Sequence, residues 1–223
     1  MKNASLIAID GPVASGKSVV GLNLARRLSY RFLDTGLMYR ALTMVVLDTN
    51  VNPEDHERVV ELAKKRVIEV VFGDDGDALV QVEGHDITSQ LSDVEIDRTV
   101  SLVAQVAGTR EILVEQQRRV AREGPIVMAG RDIGTVVLPN APIKVFLTAS
   151  STERAQRRHL EFQRNGRDIT YNQVLRDIEE RDRLDSGRRI APLRPAPDAH
   201  ITITDHIGIE EVVEGILKLM GGS

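Results

Sequence analysis

An octapeptide near the amino terminus has the residue types and spacing of a loop that binds phosphate groups. It consists of Gly11, Pro12, Val13, Ala14, Ser15, Gly16, Lys17 and Ser18, which matches G-x-x-x-x-G-K-S in full. Glycines let successive backbone N–H groups converge on phosphate oxygens, and a following helix directs its positive end to the same place. Lys17 would contact the β- and γ-phosphates, and the Ser18 hydroxyl would be a ligand for Mg²⁺. The motif predicts that this loop, with the adjacent Val19, binds ATP or GTP together with magnesium.

Arginine is the second residue type whose distribution indicates anion chemistry. The chain contains 23 Arg but only 6 Lys, and 11 of the Arg lie between Arg154 and Arg194. A guanidinium is a rigid planar fork that matches carboxylate and phosphate groups. A solvated helical surface with ion pairs is the alternative, because acidic residues share the same stretch. Composition alone makes Arg40, Arg131 and the arginines of residues 154–167 candidates for neutralising phosphates.

The composition excludes several classes of protein. The 223 residues, 42% of them hydrophobic, suffice for one large core with insertions. The absence of cysteine excludes disulfide frameworks, iron–sulfur clusters and a Cys nucleophile. A net charge of −4 argues against a nucleic-acid partner, and no apolar run approaches the roughly 18 residues that cross a bilayer. We therefore expect a cytoplasmic protein with no membrane partner, and a monomer because no long apolar seam or heptad is present.

The elements that must position these residues follow an alternating pattern. Short apolar runs predict buried strands at residues 6–9, 126–129, 143–148 and 201–204. Helical patterns cover residues 17–28, 36–47, 97–123, 151–164, 171–188 and 209–220. Strands that alternate with helices predict an α/β fold with a parallel sheet covered on both faces. Runs at 67–72 and 79–82 are separated by five turn residues and predict an antiparallel hairpin, an excursion over residues 67–92.

A small-molecule kinase is the phosphate-loop protein that fits this chain best. GTPases read guanine with an N-K-x-D segment, and no Asn of this chain is followed by Lys. Motor and helicase ATPases generally need a longer core. A small-molecule kinase needs a second anion site beside the first and segments that close over both substrates to exclude water.

Three further motifs resemble those of bacterial cytidylate kinases. They are D-T-G-L-M-Y-R at 34–40, G-R-D-I-G-T-V-V at 130–137, and E-R-D at 180–182 continuing to Arg188, in order and in register from about residue 5 to 215. The resemblance implies a P-loop fold with a five-stranded parallel sheet, helices on both faces, a small antiparallel monophosphate-binding insert (about 35–100) and a short helical lid (about 154–170). It implies one kinase domain over residues 1–223, which converts ATP and CMP or dCMP to ADP and CDP or dCDP, with Mg²⁺ arriving with ATP.

The same resemblance assigns the residues that would read the acceptor nucleotide. A carboxylate accepts a hydrogen bond from the cytosine amino group, and Asp132 matches the family position for this role. Ser101 would be a second acceptor, and Arg110 would donate to the ring acceptors of the base. Arg40 and Arg131 would hold the phosphate, and Tyr39 could donate a further hydrogen bond there. Asp185, positioned by Arg181, would accept from the sugar. Thr35 would be a weaker member of the same pocket.

Arginines and one lysine form the predicted catalytic set, which is Lys17, Arg131, Arg157, Arg158 and Arg188. Arg188 shares a helix face with Asp185 and would lie nearer the phosphates. As the lid closes, Arg157 and Arg158 would neutralise charge on the transferred phosphoryl group. Phosphoryl transfer depends on positioning and electrostatic clamping more than on a protein base, so we assign no general base. Asp34 is a weak second candidate for contact with Mg²⁺, through water.

Two other functions remain open from the sequence. One is a phosphate-loop kinase for another acceptor, such as UMP or a non-nucleotide alcohol, which would need a different pocket from Ser101, Arg110 and Asp132. The other is a nucleotide-binding regulatory or nucleic-acid-associated protein without turnover.

Overall fold

The computed structural model of the protein describes residues 5–221, which form two sheets and the helices around them. The strands are β1 (Leu6–Asp10), β2 (Arg31–Asp34), β3 (Ile68–Phe72), β4 (Ala78–Val82), β5 (His85–Asp86), β6 (Ile126–Gly130), β7 (Ile143–Thr148) and β8 (His200–Ile203). The helices are α1 (Lys17–Leu28), α2 (Gly36–Asp48), α3 (His56–Lys65), α4 (Val94–Ala104), α5 (Ala107–Arg122), α6 (Ser151–Arg164), α7 (Tyr171–Gly187) and α8 (Ile209–Gly221). The two ends of the predicted domain, residues 1–4 and 222–223, lie outside the described residues.

The main sheet has five parallel strands in the order β2-β6-β1-β7-β8. Its three central strands are buried on both faces, which explains their continuous apolar runs. The register pairs Asp10 with Gly130 and Asp34 with Ala129, so β1, β2 and β6 end at one level. The phosphate loop at 11–18 and the motifs at 34–40 and 130–137 each begin at or just past this edge. Ligands of open α/β sheets bind beyond the carboxyl ends of the strands.

Two hydrophobic clusters cover the two faces of the main sheet. Ala8, Leu33 and Met128 point to one face, where α2, α4 and α5 pack. Ile7, Ile9 and neighbouring side chains point to the other, where α1 and α8 pack. Residues one apart on a strand therefore belong to different clusters, as the period of two requires.

The smaller sheet is an antiparallel excursion from the main one. β3 pairs with β4 in a register that places Val70 opposite Val80, and β5 adds a short third strand. A 3₁₀ turn over Thr88–Ser92 then leads into α4. The predicted hairpin is confirmed, and it places this segment beside α2 and α4.

Polar side chains start four of the helices. Asp55, Asp93, Ser150 and Thr170 each accept a hydrogen bond from a backbone N–H in the first turn of α3, α4, α6 and α7. Such caps satisfy donors that have no partner inside the helix. The sequence thus fixes locally where the helices near the site begin.

The predicted fold class is confirmed, but three elements differ from the prediction. β2 and α3 were missed, because β2 has only two buried apolar residues and α3 only two buried positions, too few for a clear pattern. The single helix predicted over 97–123 is two helices, α4 and α5, separated by an extended Val106. Arg110 of α5 donates to the carbonyl of Ala104 at 3.1 Å, so it supplies a partner to the end of α4. Within residues 5–221, no helix is long and apolar enough to span a bilayer.

Candidate active site

The phosphate-loop motif forms the turn between β1 and α1. Gly11 approaches β7 so closely that an added Cβ would lie 2.0 Å from the Leu147 carbonyl oxygen. Gly16 has a φ of 93° and Ala14 a φ of 57°, both in the left-handed region. The loop therefore requires glycine at Gly11 for space and at Gly16 for backbone conformation.

Lys17 is folded back on the loop that it follows. Its ammonium group donates to the Pro12 carbonyl at 2.5 Å and contacts the Ser15 hydroxyl at 3.4 Å. Burial lowers the pKa of Lys17 well below its usual range, and the neighbouring Arg131 lowers it further. An anion bound in the loop would favour the charged form. Val19, which was predicted with the loop, is 48% exposed on the outer side of α1.

Ser18 and Asp34 bring two oxygen ligands together beside the loop. The Ser18 hydroxyl donates to one carboxylate oxygen of Asp34 at 2.5 Å, and the other oxygen accepts from Gly36 N–H at 2.9 Å. No group of three or more His, Asp or Glu residues able to hold a metal occurs in residues 5–221. One hydroxyl and one carboxylate fit Mg²⁺, which keeps several waters and takes its other ligands from bound phosphates.

A cavity of about 60 Å³ lies beside the phosphate loop at the edge of the main sheet. Arg188 lines this cavity. So do all nine residues predicted to bind the acceptor, which are Thr35, Tyr39, Arg40, Ser101, Arg110, Arg131, Asp132, Arg181 and Asp185. They come from α2, α4, α5, α7 and the turn after β6. The cavity is far smaller than the roughly 300–1,000 Å³ of small-molecule sites.

A buried ion pair forms one end of this cavity. Arg110 donates to Asp132, and both side chains are nearly inaccessible to solvent. The Arg110 guanidinium also lies over the Tyr39 ring, 5.5 Å from its centroid. The Tyr39 hydroxyl has no hydrogen-bond partner among the described residues, and burial raises the pKa of Tyr39 to about 12. This end offers a guanidinium donor, a carboxylate acceptor and an unpaired hydroxyl.

Asp185 organises the arginines at the other end of the cavity. Its carboxylate accepts from Arg131 at 2.7 Å and from Arg188. Burial alone would raise the pKa of Asp185, but Arg131, Arg188 and Arg181 together hold it below its usual value. Burial, followed by the nearby Arg131, lowers the pKa of Arg181 to about 10, so Arg181 is still a cation at neutral pH. The Nε atoms of Arg181 and Arg188 have no partner among the described residues.

The arginines predicted as one lid group contact three different parts of the protein. Arg157 donates to the Thr204 hydroxyl at 3.1 Å, and that hydroxyl lies 3.3 Å from the Ser15 carbonyl of the phosphate loop. Arg158 instead donates to Asp97 of α4 at 2.6 Å. Arg154 is buried and donates to the Val13 carbonyl at 3.2 Å and to Asp182. Arg157 therefore faces the phosphate loop, Arg158 faces α4, and Arg154 supports the loop.

Thr35 is held by the backbone of the main sheet. Its hydroxyl donates to the Ala129 carbonyl at 3.0 Å, and its N–H donates to the same oxygen at 2.9 Å. The hydroxyl therefore faces the cavity as an acceptor only. Gly130 leaves room for this contact, because a Cβ there would lie 2.6 Å from the Thr35 Oγ1.

Sequence reasoning missed three residues that the structure places at the site, Asp10, Asp97 and Thr204. The carboxylate of Asp10 accepts from Ile133 N–H at 2.6 Å and from Gly134 N–H at 2.7 Å, so it ties the end of β1 to the turn after β6. Burial raises the pKa of Asp10 to about 6. An acid that ends a buried strand just before the loop is a signal that could have identified Asp10. No local pattern distinguishes Asp97 or Thr204.

Comparison with known proteins gives matches along nearly the whole chain. The sequence model of the family described as cytidylate kinase matches residues 7–221. The cytidylate kinase of Geobacillus sp. (strain WCH70) is 46% identical over 220 residues, covering 99% of this chain and 98% of its own. Those of Desulforamulus reducens and Bacillus subtilis (strain 168) are each 44% identical, covering 97% and 98% of this chain and 97% of their own.

Solved structures with low sequence identity share the architecture. An uncharacterized protein from Eubacterium ventriosum has a TM-score of 0.54 at 12% identity, covering 98% of this chain and 99% of its own. Shikimate kinase from Bacteroides thetaiotaomicron has a TM-score of 0.50 at 13% identity, covering 97% and 98%. At such identities the likeness shows the fold alone.

Proposed function

This chain belongs to the cytidylate kinase family, and we propose that it transfers the γ-phosphoryl group of ATP to CMP and dCMP, giving ADP and CDP or dCDP. The observation that carries the proposal is the position of one cavity. Residues that can recognise cytosine, sugar and phosphate line it together, and it lies directly beside a phosphate loop at the edge of the parallel sheet.

The Arg110–Asp132 pair supports cytosine as the base. Cytosine presents an amino donor next to two acceptors, and uracil replaces this amino group with a carbonyl. The Asp132 carboxylate would accept from the amino group while Arg110 donates to the ring acceptors, with Ser101 as a second acceptor. Uracil would place an oxygen against the carboxylate, and a buried acceptor without a donor costs free energy.

Donor and acceptor nucleotides would occupy opposite sides of Arg131. Gly11, Pro12, Val13, Ala14, Ser15, Gly16, Lys17, Ser18 and Val19 form the proposed ATP site. Ser18 and Asp34 would hold Mg²⁺, which when bound neutralises charge on the β- and γ-phosphates. Arg157 would contact the ATP side because its partner Thr204 reaches the loop. Asp185 would accept from the sugar hydroxyls of the acceptor.

Charge stabilisation would account for the catalysis. An acceptor phosphate is largely deprotonated at neutral pH, with a pKa of about 6, so its oxygen can attack the γ-phosphorus in line without a protein base. Lys17, Arg131, Arg157, Arg158 and Arg188 would stabilise the charge that spreads over the transferred group. Asp185 holds Arg131 and Arg188 side by side, which would limit the reorganisation of these two arginines during transfer.

The domain organisation is part of the proposal. We assign one kinase domain to residues 1–223, with a monophosphate-binding insert at about 35–100 and a lid at about 154–170. The insert supplies Arg40 and Tyr39, and the lid supplies Arg157 and Arg158. We further propose that the enzyme works in the cytoplasm as a monomer, with nucleotides rather than nucleic acids as its ligands.

A coupled assay of ADP release tests the proposed reaction. The purified protein is given ATP and Mg²⁺ with CMP, dCMP, UMP, AMP, GMP or shikimate in parallel reactions. We expect rapid turnover mainly with CMP and dCMP, and an equal yield of CDP or dCDP and ADP. Turnover with UMP or shikimate that exceeds turnover with CMP would overturn the assignment of the acceptor. Tight ATP binding without turnover on any acceptor would indicate a regulatory protein.

A further inference from the structure

Asp97 lies at the centre of an ion-pair cluster that joins four helices. It is carried by α4 and pairs with Arg40 of α2, with Arg158 of α6 at 2.6 Å and with Arg181 of α7 at 3.7 Å. Its side chain is only 13% exposed. Burial by itself would raise the pKa of Asp97, but the three arginines hold it below its usual value. The carboxylate is therefore ionised and shared among arginines of three other helices.

Two of these arginines line the acceptor cavity. Arg40 is proposed to hold the acceptor phosphate, Arg158 to stabilise the transferred phosphoryl group, and Arg181 to position Asp185. Arg40 and Arg181 line the cavity of about 60 Å³, and Arg158 is a lid residue. A carboxylate and a phosphate present similar oxygen acceptors to a guanidinium. A carboxylate of the chain thus occupies donors that an acceptor phosphate would use.

The cluster also separates two cavities. A second cavity of about 230 Å³ lies between α4, α6 and α7, and Asp97 and Arg158 line it. Arg40 lines only the first cavity, whereas Arg181 lines both. Each cavity alone is smaller than the roughly 300 Å³ at the lower limit for small-molecule sites. Movement of Asp97 away from Arg40 and Arg181 would connect them.

The same contacts fasten the lid to the insert. Arg158 reaches Asp97 across the second cavity, and Arg167 at the end of the lid donates to the Ser92 carbonyl at 2.6 Å. The side chains of Arg40, Arg158 and Arg181 all pair with the Asp97 carboxylate. Without a negative charge between them, three closely spaced guanidinium groups would repel one another.

We propose that Asp97 is a positioning residue: its carboxylate pairs with Arg40, Arg158 and Arg181 while no acceptor phosphate is bound, and it is displaced when the monophosphate binds. This inference rests on the proposed function, because that function places Arg40 at the acceptor phosphate and Arg158 at the transferred phosphoryl group. Asp97 keeps the cations together in the empty enzyme and competes with the substrate for them. It therefore weakens the binding of the acceptor and leaves the binding of ATP at the phosphate loop unchanged.

The substitution Asp97→Asn removes the competing charge and keeps a side chain of the same shape. Because hydrogen bonds to charged groups contribute more than about 1.4 kcal/mol, we expect the KM for CMP to fall about tenfold. The KM for ATP should change less than twofold. Asp97→Glu keeps the charge and should keep a KM for CMP near that of the original protein. Glu95→Gln removes an exposed charge of the same helix turn and is the matched control.

Inorganic phosphate provides a readout that does not depend on activity. Without ligand, Asp97→Asn should lower the unfolding temperature, because the arginines lose their anion. Added phosphate should raise that temperature more in Asp97→Asn than in the original protein or in Glu95→Gln. A KM for CMP that is unchanged or raised in Asp97→Asn, with no larger effect of phosphate, would overturn the proposal. If the original protein does not phosphorylate CMP, the phosphate arm still tests Asp97, so the two proposals can fail separately.

Discussion

At the scale of single residues, buried carboxylates of the site divide into two kinds. Asp132, Asp185 and Asp97 each pair with arginine side chains. Asp10 instead accepts from two backbone N–H groups, with Asp132 as a nearby like charge. The arginine partners of Asp97 and Asp185 hold the pKa of each carboxyl group below its usual value. Burial raises the pKa of Asp10, although Lys17 and the two N–H groups act in the opposite direction. Burial therefore outweighs these contacts and raises the pKa of Asp10 to about 6.

We predict that Asp10 titrates with a midpoint near pH 6 in the folded protein. Its folded pKa lies above the unfolded value of 3.8, so the folded state holds an extra proton between these two values. The contribution of Asp10 to the free energy of unfolding therefore decreases as pH rises from about 4 to about 6. The measurement is the ¹³C NMR shift of the Asp10 carboxyl carbon against pH, with Asp10→Asn to assign the signal. A midpoint at or below pH 4 would contradict the prediction.

At the scale of elements, the phosphate loop owes its position to the strands on either side of it. Gly11 packs against the Leu147 backbone of β7, and Asp10 joins β1 to the turn after β6. Thr204, just past β8, contacts the Ser15 carbonyl. The positions of the phosphate loop and of the adjacent cavity thus depend on one edge of the main sheet.

Gly11→Ala should disrupt the phosphate loop. The new Cβ would lie 2.0 Å from the Leu147 carbonyl oxygen, so the loop or β7 must move. We expect ATP affinity to fall at least tenfold, which isothermal titration calorimetry can measure. The matched control is Gly215→Ala in the exposed middle of α8, where a Cβ meets nothing within 4 Å. This control should keep its ATP affinity and gain about 0.5–1 kcal/mol in stability. Equal ATP affinity in both variants would show that Gly11 does not determine the loop position.

Local patterns predicted the elements that carry strong local signals. β1 and β6 are largely apolar runs, and the apolar run of β7 is interrupted by Lys144. α1 follows a complete loop motif, and the bounds of these four elements were predicted within one residue. β2 is short and begins with an arginine, and the break between α4 and α5 contains neither Pro nor Gly. At this break Arg110 donates to the Ala104 carbonyl, and the same guanidinium pairs with Asp132, which is distant in the chain.

Local sequence patterns also predicted some residues of the candidate site and missed others. Motif residues such as Arg131 and Asp132 could be predicted because their neighbours in the chain identify them. Asp97 could not, because its role depends on three arginines that lie 57, 61 and 84 positions away in the chain. The opposite directions of Arg157 and Arg158 also depend on which helix and loop pack beside α6.

At the scale of the whole molecule, the segment proposed as the lid contacts the segment proposed as the monophosphate-binding insert. The acceptor cavity measures about 60 Å³, and the lid contacts the insert through Arg158 and Arg167. If these segments enclose the nucleotides as proposed, we expect them to separate when substrates enter. Closure over both nucleotides would then exclude water, which otherwise competes as the acceptor of the phosphoryl group.

We predict that nucleotides change the distance between lid and insert. The chain has no cysteine, so Gln90→Cys and Gln163→Cys would give the only two sites for spin labels. Without ligand, the distance distribution should include a longer, open component. CMP with a non-hydrolysable ATP analogue should remove this component and leave one narrow distance. An identical distribution with and without the nucleotides would contradict the expected opening and closing.

The preference for CMP over UMP, measured as the ratio of their kcat/KM values, tests the central claim most directly when the original protein is compared with Asp132→Asn. The claim is that the Arg110–Asp132 pair recognises the cytosine base. We predict a strong preference for CMP in the original protein and a loss of about tenfold or more of that preference in the variant, as expected for one specific base contact of about 1–3 kcal/mol. Thermal unfolding of both proteins verifies that the variant is folded. An unchanged ratio, with both rates lowered equally, would contradict this assignment of the cavity.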